Sequence, residues 1–232
     1  MRGAIQVLKS KNDQTPAQKN LMEIILRESD RLNEIITNFL KYARPQTSSF
    51  EEIDVREPIK DTITLLQHSP DIEESHKFEL LLPEEPLVLN ADASQLKQIF
   101  WNLARNAIQA MEDGGTLKVI LSIAGNNRVK ITFSDTGCGM SPEQVEQLFE
   151  PFSKSTTGGT GLGLSIVYQI VRDHSGTINV SSKKNKGTDI TMYLPIEPNP
   201  GTEVRSERLN IRLDSTLSDY LNVKHDKPAI SS

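Results

Sequence analysis

The chain has 232 residues, 36% apolar and 25% charged, with a formal net charge of −5, which predicts a globular, cytoplasmic protein rather than a disordered one. The acidic balance and an aromatic content of only 5% argue against nucleic-acid binding and direct membrane contact. A single cysteine excludes an internal disulfide, and no apolar run approaches the roughly 20 residues of a membrane helix.

The N-terminal segment predicts two helices. Thr15 and Pro16 suit the N-cap and the first helical position of the second one. Apolar residues then recur at alternating spacings of four and three, interrupted only by Glu28. They are Leu21, Ile25, Leu32, Ile35, Phe39 and Tyr42. This narrow stripe predicts that residues 1–44 form a helical hairpin that packs on partner helices, with an ordinary amphipathic helix as the alternative, followed by a linker at 45–49.

Residues 50–196 alternate between strand and helix patterns and are predicted to form one domain. Strands are predicted at 50–55, 77–82, 87–89, 116–123, 128–134, 177–182 and 188–194. Helices are predicted at 57–67, from a capping box at Asp92 to Met111, from Ser141–Pro142 to Phe149, and at 162–173. Helices segregated against a largely antiparallel sheet indicate an α/β two-layer sandwich. The polar residues 197–232 are expected to be a flexible tail.

Two motifs of the domain carry polar side chains that are candidates for ligand binding. Asn102 and Asn106 lie four residues apart on a helix, so both amides can face one pocket. An amide oxygen suits Mg²⁺ and its NH₂ group can donate to a phosphate, although paired asparagines on a helix are more often solvated. Asp135 follows a strand and begins an Asp-x-Gly-x-Gly sequence with Gly137 and Gly139. That carboxylate is placed to accept a hydrogen bond from an amine such as that of adenine; a capped tight turn is the alternative.

Two further motifs follow in the chain. Phe149-Glu150-Pro151-Phe152 ends a helix and by itself indicates only packing. Residues 158–164, Gly-Gly-Thr-Gly-Leu-Gly-Leu, open a helix and expose backbone amides that favour an anion. This loop has neither the Lys-Ser/Thr ending of a P-loop nor the βαβ setting of a dinucleotide fingerprint. Each motif is weak alone, and the four in this order are a strong signal.

The order of these motifs, followed by Gly187-Thr188 and Leu194-Pro195, resembles the catalytic domain of sensor histidine kinases. The short loop between Phe152 and Gly161 is similar to that of nitrogen-regulation and pilus-regulation sensor kinases. The resemblance implies a Bergerat-type ATP-binding fold, a mixed, mostly antiparallel sheet with helices on one face, preceded by an α-helical hairpin, and it implies that residues 1–44 are part of a dimerisation hairpin. It also implies ATP and Mg²⁺ as cofactors.

The resemblance further implies a set of nucleotide-binding residues. It places Asn106 on Mg²⁺, Asn102 near the phosphates, Asp135 on the adenine amine and Thr188 near the base. Residues 153–160 correspond to the mobile ATP lid. The remaining implied contacts are Gly137 and Gly139 in the adenine loop, Gly159, Gly161 and Gly163 under the phosphates, Thr160 and Leu162 as cofactor-binding residues of the same glycine-rich loop, and Lys154 as a weaker phosphate candidate.

Asn102 separates the kinases from the hydrolases of this superfamily, which also contains gyrase and mismatch-repair ATPases. Gyrase-type members carry a glutamate four residues before the Mg²⁺-binding asparagine, and it activates water. An amide cannot accept that proton, so a general-base contribution of roughly 10²–10⁴-fold is missing. The sequence therefore predicts a phosphoryl donor, a protein-histidine kinase, rather than a DNA-topology or repair ATPase.

None of the four histidines suits the role of phosphoacceptor in this resemblance. Residues 2–8 look like the continuation of the acceptor helix, so the acceptor is expected before Met1, in a longer parent protein for which the sequence leaves membrane anchoring open. The expected partners are a response-regulator receiver domain and a second copy bound through the N-terminal helices. The alternative function is a nucleotide-binding regulator or an anti-sigma-type serine kinase of the same superfamily.

Overall fold

The computed structural model describes residues 21–22, 24–26, 29, 49–70, 72–152 and 161–197. The six described residues from Leu21 to Ser29 are helical. The chain divides into two compact units, one of residues 48–149 with 164–232, the other of residues 1–47 with 150–163. Most of the predicted hairpin, of the linker and of the tail lies outside the described residues, so those predictions stay predictions.

Strands and helices alternate along the larger unit much as the sequence predicts. In chain order the elements are β1 (Glu51–Asp54), α1 (Arg56–Gln67), β2 (His76–Leu81), β3 (Val88–Ala91), α2 (Ala93–Gln109), β4 (Gly115–Ala124), β5 (Arg128–Asp135), α3 (Pro142–Glu146), α4 (Gly163–Asp173), β6 (Thr177–Lys183) and β7 (Gly187–Pro195).

Five strands form the main sheet, in the order β2-β4-β5-β7-β6. Strand β2 pairs parallel with β4, and the other neighbours are antiparallel. The apolar residues Leu117, Val119 and Leu121 alternate with less buried ones along β4, which directs one face of the sheet into the core. The predicted mixed, mostly antiparallel sheet is therefore confirmed.

The helices pack on that apolar face and complete a two-layer α/β sandwich, as predicted. Helix α2 is the central one, because its apolar stripe recurs at helical spacing and is buried. Its Phe100 stacks on Phe133 of β5, with ring centroids 5.8 Å apart. The core thus fixes the position of α2 over the sheet, and with it the two asparagines that this helix carries.

One predicted helix is shorter than expected. Ser141 forms the predicted capping box with Gln144, and Pro142 occupies the first turn. Helix α3 nevertheless ends at Glu146, and not at Phe149. The reason is that Leu148 donates to the carbonyl of Val145, three residues back, so the α-helical pattern does not continue.

A second, two-stranded sheet pairs β1 with β3 and leads into the N-terminus of α2. There Asp92 caps the helix, accepting from the backbone amides of Ser94 and Gln95. Its carboxylate also accepts from the Ser94 hydroxyl, at 2.6 Å, and from the backbone amide of Ser49, at 3.0 Å. Burial opposes ionisation here, but these hydrogen bonds outweigh it and hold the pKa of Asp92 below its usual value.

Candidate nucleotide-binding site

The two asparagines of the first motif lie on one side of α2, one helical turn apart. Asn102 and Asn106 are both half-buried. Within the described ranges, neither side-chain amide makes a hydrogen bond. Two polar groups at the edge of the core with unused hydrogen-bonding capacity are suited to an external ligand.

The loop that follows β5 is hydrogen-bonded to the C-terminal end of α2. The backbone amide of Cys138 donates to the carbonyl of Ala110, the C-cap of α2, at 2.9 Å. Gly137 lies so close to this carbonyl that a Cβ atom at position 137 would be 2.5 Å from it. The second motif therefore requires a glycine at this position, and the contact brings the loop to the helix that carries the asparagines.

Asp135 ends strand β5 at the start of this loop, and its side chain is half-buried. Its Oδ1 atom accepts from the backbone amide of Gly137 at 2.9 Å. Burial raises the pKa of Asp135, hydrogen bonds from the backbone of Gly137 and Thr188 partly offset this effect, and the charge of Asp189 adds to it. The carboxylate thus lies in a poorly solvated place where a hydrogen-bond donor from a ligand would stabilise its charged form.

The β6–β7 hairpin packs against the same loop. Gly139, at φ +62°, lies against the carbonyl of Lys183, and a Cβ atom there would be 2.1 Å from it. The backbone amide of Asn185 donates to the carbonyl of Cys138 at 2.6 Å. Gly187, at φ +96°, touches the backbone of Asp135 in the same manner. The second motif and the hairpin therefore form one closely packed structure.

Thr188 follows Gly187 on β7, directly opposite Asp135 in the strand register. Its side chain is buried, and its hydroxyl lies 2.9 Å from that of Ser182 on β6. Ser182 also accepts from the backbone amide of Met140 at 2.9 Å. Ser182 was not predicted from the sequence, although the alternation of β6, in which Val180 is buried, places Ser182 on the same face as Val180.

The glycine-rich motif lies mainly in the smaller unit. There Gly161, at φ +69°, accepts from the backbone amide of Phe152 at 3.1 Å, and Leu162 is buried. Gly163 is the first residue of α4, so the motif does open a helix as predicted. Lys154, Gly159 and Thr160 lie outside the described residues, as does the whole predicted lid from 153 to 160.

His174, in the turn after α4, is a structural residue. Its ring is buried and lies 4.8 Å from that of Phe50. Nδ1 is 2.8 Å from the carbonyl of Ile170, to which it donates, since Nε2 accepts from the backbone amide of Asp92 at 3.1 Å. Burial lowers the pKa of His174, in spite of this hydrogen bond and of the nearby charges of Asp92 and Asp173. Both ring nitrogens are occupied, which leaves none free to accept a phosphoryl group.

The rings of two other histidines make hydrogen bonds to nearby backbone groups. Nδ1 of His68 lies 2.7 Å from the carbonyl of Thr64, on the exposed side of α1. His76 accepts from the backbone amide of Glu73 and lies 3.0 Å from the carbonyl of Met111. The fourth, His225, is outside the described residues. Among the residues that the structure describes, there is also no group of three or more His, Cys, Asp or Glu that could hold a metal ion.

The sequence of this domain matches a known ATPase family. Residues 91–198 match the family described as histidine kinase-, DNA gyrase B- and HSP90-like ATPases. The chain is 35% identical over 199 residues to sporulation kinase E of Bacillus subtilis, and 34% identical over 189 residues to sensor histidine kinase ZraS of Klebsiella oxytoca. These alignments cover 86% and 79% of this chain, but the chain spans only 27% and 40% of the two relatives.

Solved structures agree with the sequence comparison. The catalytic domain of histidine kinase ThkA superposes with a TM-score of 0.59 at 30% identity, over 65% of this chain and 97% of that domain. ThkA in complex with the response regulator protein TrrA superposes with a TM-score of 0.67 at 27% identity, over 86% of this chain and 57% of that chain. The fold and motifs define an ATPase domain of the histidine kinase type. The chain belongs to the histidine kinase family and carries its catalytic, ATP-binding domain.

Among the described residues, no helix combines the length and the apolar character needed to cross a bilayer.

Proposed function

We propose that this chain binds Mg·ATP and transfers the γ-phosphoryl group to a histidine, for relay to an aspartate of a response regulator. The observation that carries the proposal is the place of Asp135, a half-buried carboxylate with a raised pKa, in a loop bonded to the end of α2. The names of the relatives, sensor histidine kinase and sporulation kinase, support the same reaction.

Asp135 is assigned as the acceptor of a hydrogen bond from the adenine amine, because a carboxylate can accept the hydrogen bond that an amine donates. Gly137 and Gly139 belong to the proposed adenine loop, and their lack of a Cβ atom lets this loop pack closely on the backbone of Ala110 and Lys183, which would hold Asp135 in place beside the base. Thr188 would lie near the base, as it is opposite Asp135 across the β5–β7 pair.

The asparagines of α2 are assigned to the metal and the phosphates. Asn106 would ligate Mg²⁺ through its amide oxygen, and Asn102 would donate to a phosphate. The residues fit such an ion, because Mg²⁺ with a nucleotide keeps water and phosphate ligands and needs few from the protein. When bound, Mg²⁺ would neutralise part of the phosphate charge. The phosphate roles of Lys154, Gly159, Thr160, Gly161, Leu162 and Gly163 stay predictions.

The chemistry of Asn102 favours transfer over hydrolysis. At neutral pH its amide cannot take a proton from water, so bound ATP would be hydrolysed slowly. The γ-phosphoryl group is then available to a better nucleophile, for which a histidine ring nitrogen is suited. A dimer formed through residues 1–44 and an encounter with a receiver domain belong to the same proposal. The complex of ThkA with TrrA, a response regulator protein, supports the second of these partners.

A matched pair of variants tests the base contact. Asp135→Asn presents an NH₂ group to the adenine amine and removes a charged acceptor, so ATP affinity should fall roughly 10- to 100-fold, the value of a charge-assisted hydrogen bond. Asp113→Asn makes the same chemical change at an exposed position of the turn between α2 and β4 and should leave the affinity unchanged. Calorimetric titration with Mg·ATP measures both variants.

The stability of Asp135→Asn provides an internal check. Because burial raises the pKa of Asp135, its ionised form costs stability above the unfolded pKa. The neutral variant should therefore unfold at the same or a slightly higher urea concentration at pH 7. Loss of binding with unchanged stability supports the assignment, whereas equal ATP affinity in wild type and Asp135→Asn contradicts it.

A transfer assay tests the reaction. The chain is incubated with γ-labelled ATP and a full-length histidine kinase whose own ATP site has been inactivated. Label that is lost in acid and stable in alkali should appear on the histidine of that protein. Acid-stable label on serine would indicate the serine kinase alternative, and an unlabelled partner together with rapid steady-state hydrolysis would contradict the proposal.

A further inference from the structure

Ser182 lies at the centre of a hydrogen-bond network behind the base-binding residues. Its Oγ atom is 2.9 Å from the amide nitrogen of Met140, 3.1 Å from the carbonyl of Gly187 and 2.9 Å from Oγ1 of Thr188. The first contact joins β6 to the loop after Asp135, and the other two cross to β7. A single hydroxyl thus meets one group that can only donate, one that can only accept, and one that can do either.

The protons available on these groups determine which group donates in each hydrogen bond. The Met140 amide must donate to Ser182, which leaves Ser182 one proton and one lone pair. If that proton goes to the Gly187 carbonyl, Thr188 donates its own proton to Ser182 and all three contacts are satisfied. If it goes to Thr188 instead, the 3.1 Å contact with Gly187 has no proton. The first arrangement is favoured because a half-buried network gains from making every hydrogen bond.

In this arrangement Thr188 can only accept toward the nucleotide, because its proton is engaged behind it. Thr188 lies opposite Asp135, whose carboxylate also only accepts. We propose that Ser182 is a positioning residue which holds Thr188 as an acceptor, so that the site favours a purine with an amine at the 6-position over one with a carbonyl. This proposal rests on the proposed ATP-binding function and deepens it.

The test compares ATP with ITP, whose base has a carbonyl in place of the 6-amine. In Ser182→Ala the Thr188 hydroxyl is free to turn and donate to that carbonyl, so the ratio of ATP to ITP affinity should fall about tenfold, the value of one hydrogen bond. Ser182→Thr keeps the hydroxyl and should restore the ratio. Ser181→Ala, one residue away on the exposed face of β6, is the matched control and should equal wild type.

A double-mutant cycle tests whether Ser182 acts through Thr188. Thr188→Val removes the hydroxyl that Ser182 orients, and Ser182→Cys, whose thiol is only a weak hydrogen-bonding group, replaces Ser182→Ala as a probe if the alanine variant does not fold. The ATP-to-ITP ratio of Ser182→Ala/Thr188→Val should equal that of Thr188→Val alone, since no hydroxyl remains to be oriented. Thermal unfolding of each variant separates this effect from a loss of folded protein.

The outcomes distinguish this inference from the function on which it rests. Failure of the wild type to bind ATP would overturn the proposed function itself. Wild-type binding with an unchanged ATP-to-ITP ratio in Ser182→Ala would overturn only the role of Ser182, even if both affinities fell together, as a purely structural role would predict. Additive effects of the two substitutions on the ratio would also overturn it.

Discussion

The protein uses the carboxyl groups of Asp92 and Asp135, near opposite ends of helix α2, in opposite ways. Asp92 accepts four hydrogen bonds, from the backbone amides of Ser49, Ser94 and Gln95 and from the Ser94 hydroxyl. Asp135 accepts chiefly from the backbone, at Gly137 and Thr188, and is close to the charge of Asp189. The pKa of the first is lowered and that of the second is raised.

The difference separates a structural carboxylate from one suited to a ligand. The four donors of Asp92 leave little of its acceptor capacity for anything else, so it contributes to the stability of α2. Asp135 is desolvated without an equal number of donors, so it lowers stability and would gain from a donor on a bound molecule. Substitutions around Asp92 should therefore change stability with little effect on nucleotide affinity, and substitution of Asp135 should do the reverse.

The largest expected effect is at the backbone that supports Asp135. Gly187→Ala would place a Cβ atom 1.9 Å from the Asp135 carbonyl oxygen, at a φ of +96° that an alanine rarely adopts. The clash and the strain together should lower the free energy of unfolding by about 2–4 kcal/mol. Gly125→Ala is the control, because nothing lies within 4 Å of a Cβ atom there. Urea unfolding of the two variants should differ clearly, and equal losses would contradict the close approach of the two strands.

A smaller effect is expected at the helix cap. Asp92→Ala removes the N-cap of α2 and should cost about 1–2 kcal/mol of stability, whereas Asp92→Asn keeps an acceptor and should cost less. Because the folded pKa of Asp92 is lowered, its contribution is present above the unfolded pKa of about 3.9 and is lost as the pH falls through the folded value. Urea titrations at pH 7 and pH 3 should show the alanine effect shrinking in acid. An effect of equal size at both pH values would argue against a charged cap.

The smallest effect concerns the histidine that accepts from the Asp92 backbone. Burial lowers the pKa of His174, so below pH 6.5 the unfolded chain binds a proton that the folded chain does not. Stability should therefore fall as the pH drops from 7 toward the lowered folded pKa, with a slope of at most about 1.36 kcal/mol per pH unit for one proton. His174→Gln should flatten this slope even if it is less stable overall. An unchanged slope would assign the pH dependence to other groups.

Much of this fold is predictable because its local signals agree with its tertiary contacts. The alternation of Leu117, Val119 and Leu121 predicts β4, and the Ser141–Gln144 capping box predicts the start of α3. The parallel pairing of β2 with β4 was not predicted, because a period of two shows that a strand exists and not which way its neighbour runs. The predicted end of α3 was wrong for a similar reason, because no strong helix-breaking residue precedes the turn at Leu148.

The residues of the candidate site likewise differ in how far the sequence predicts them. Asp135, Asn102 and Asn106 are visible in the sequence because each belongs to a short motif with its own spacing. Ser182 is not, because its principal partner, the Met140 amide, lies 42 residues away along the chain. The sequence therefore predicts candidate residues for nucleotide contact, whereas a residue that would orient them is identified only from the packing of strands β6 and β7 against the loop after Asp135.

Helix α2 is held at both ends, by Asp92 at its N-terminus and by the contact of Ala110 with the loop after Asp135. Asn106 and Asn102 lie roughly 6 and 12 Å along its axis from Ala110, at 1.5 Å per residue. A single residue inserted between Asn106 and Ala110 would rotate both amides by roughly 100° relative to that loop. Point substitutions on the exposed side of this helix leave that geometry unchanged, so its length in residues tolerates less variation than its surface does.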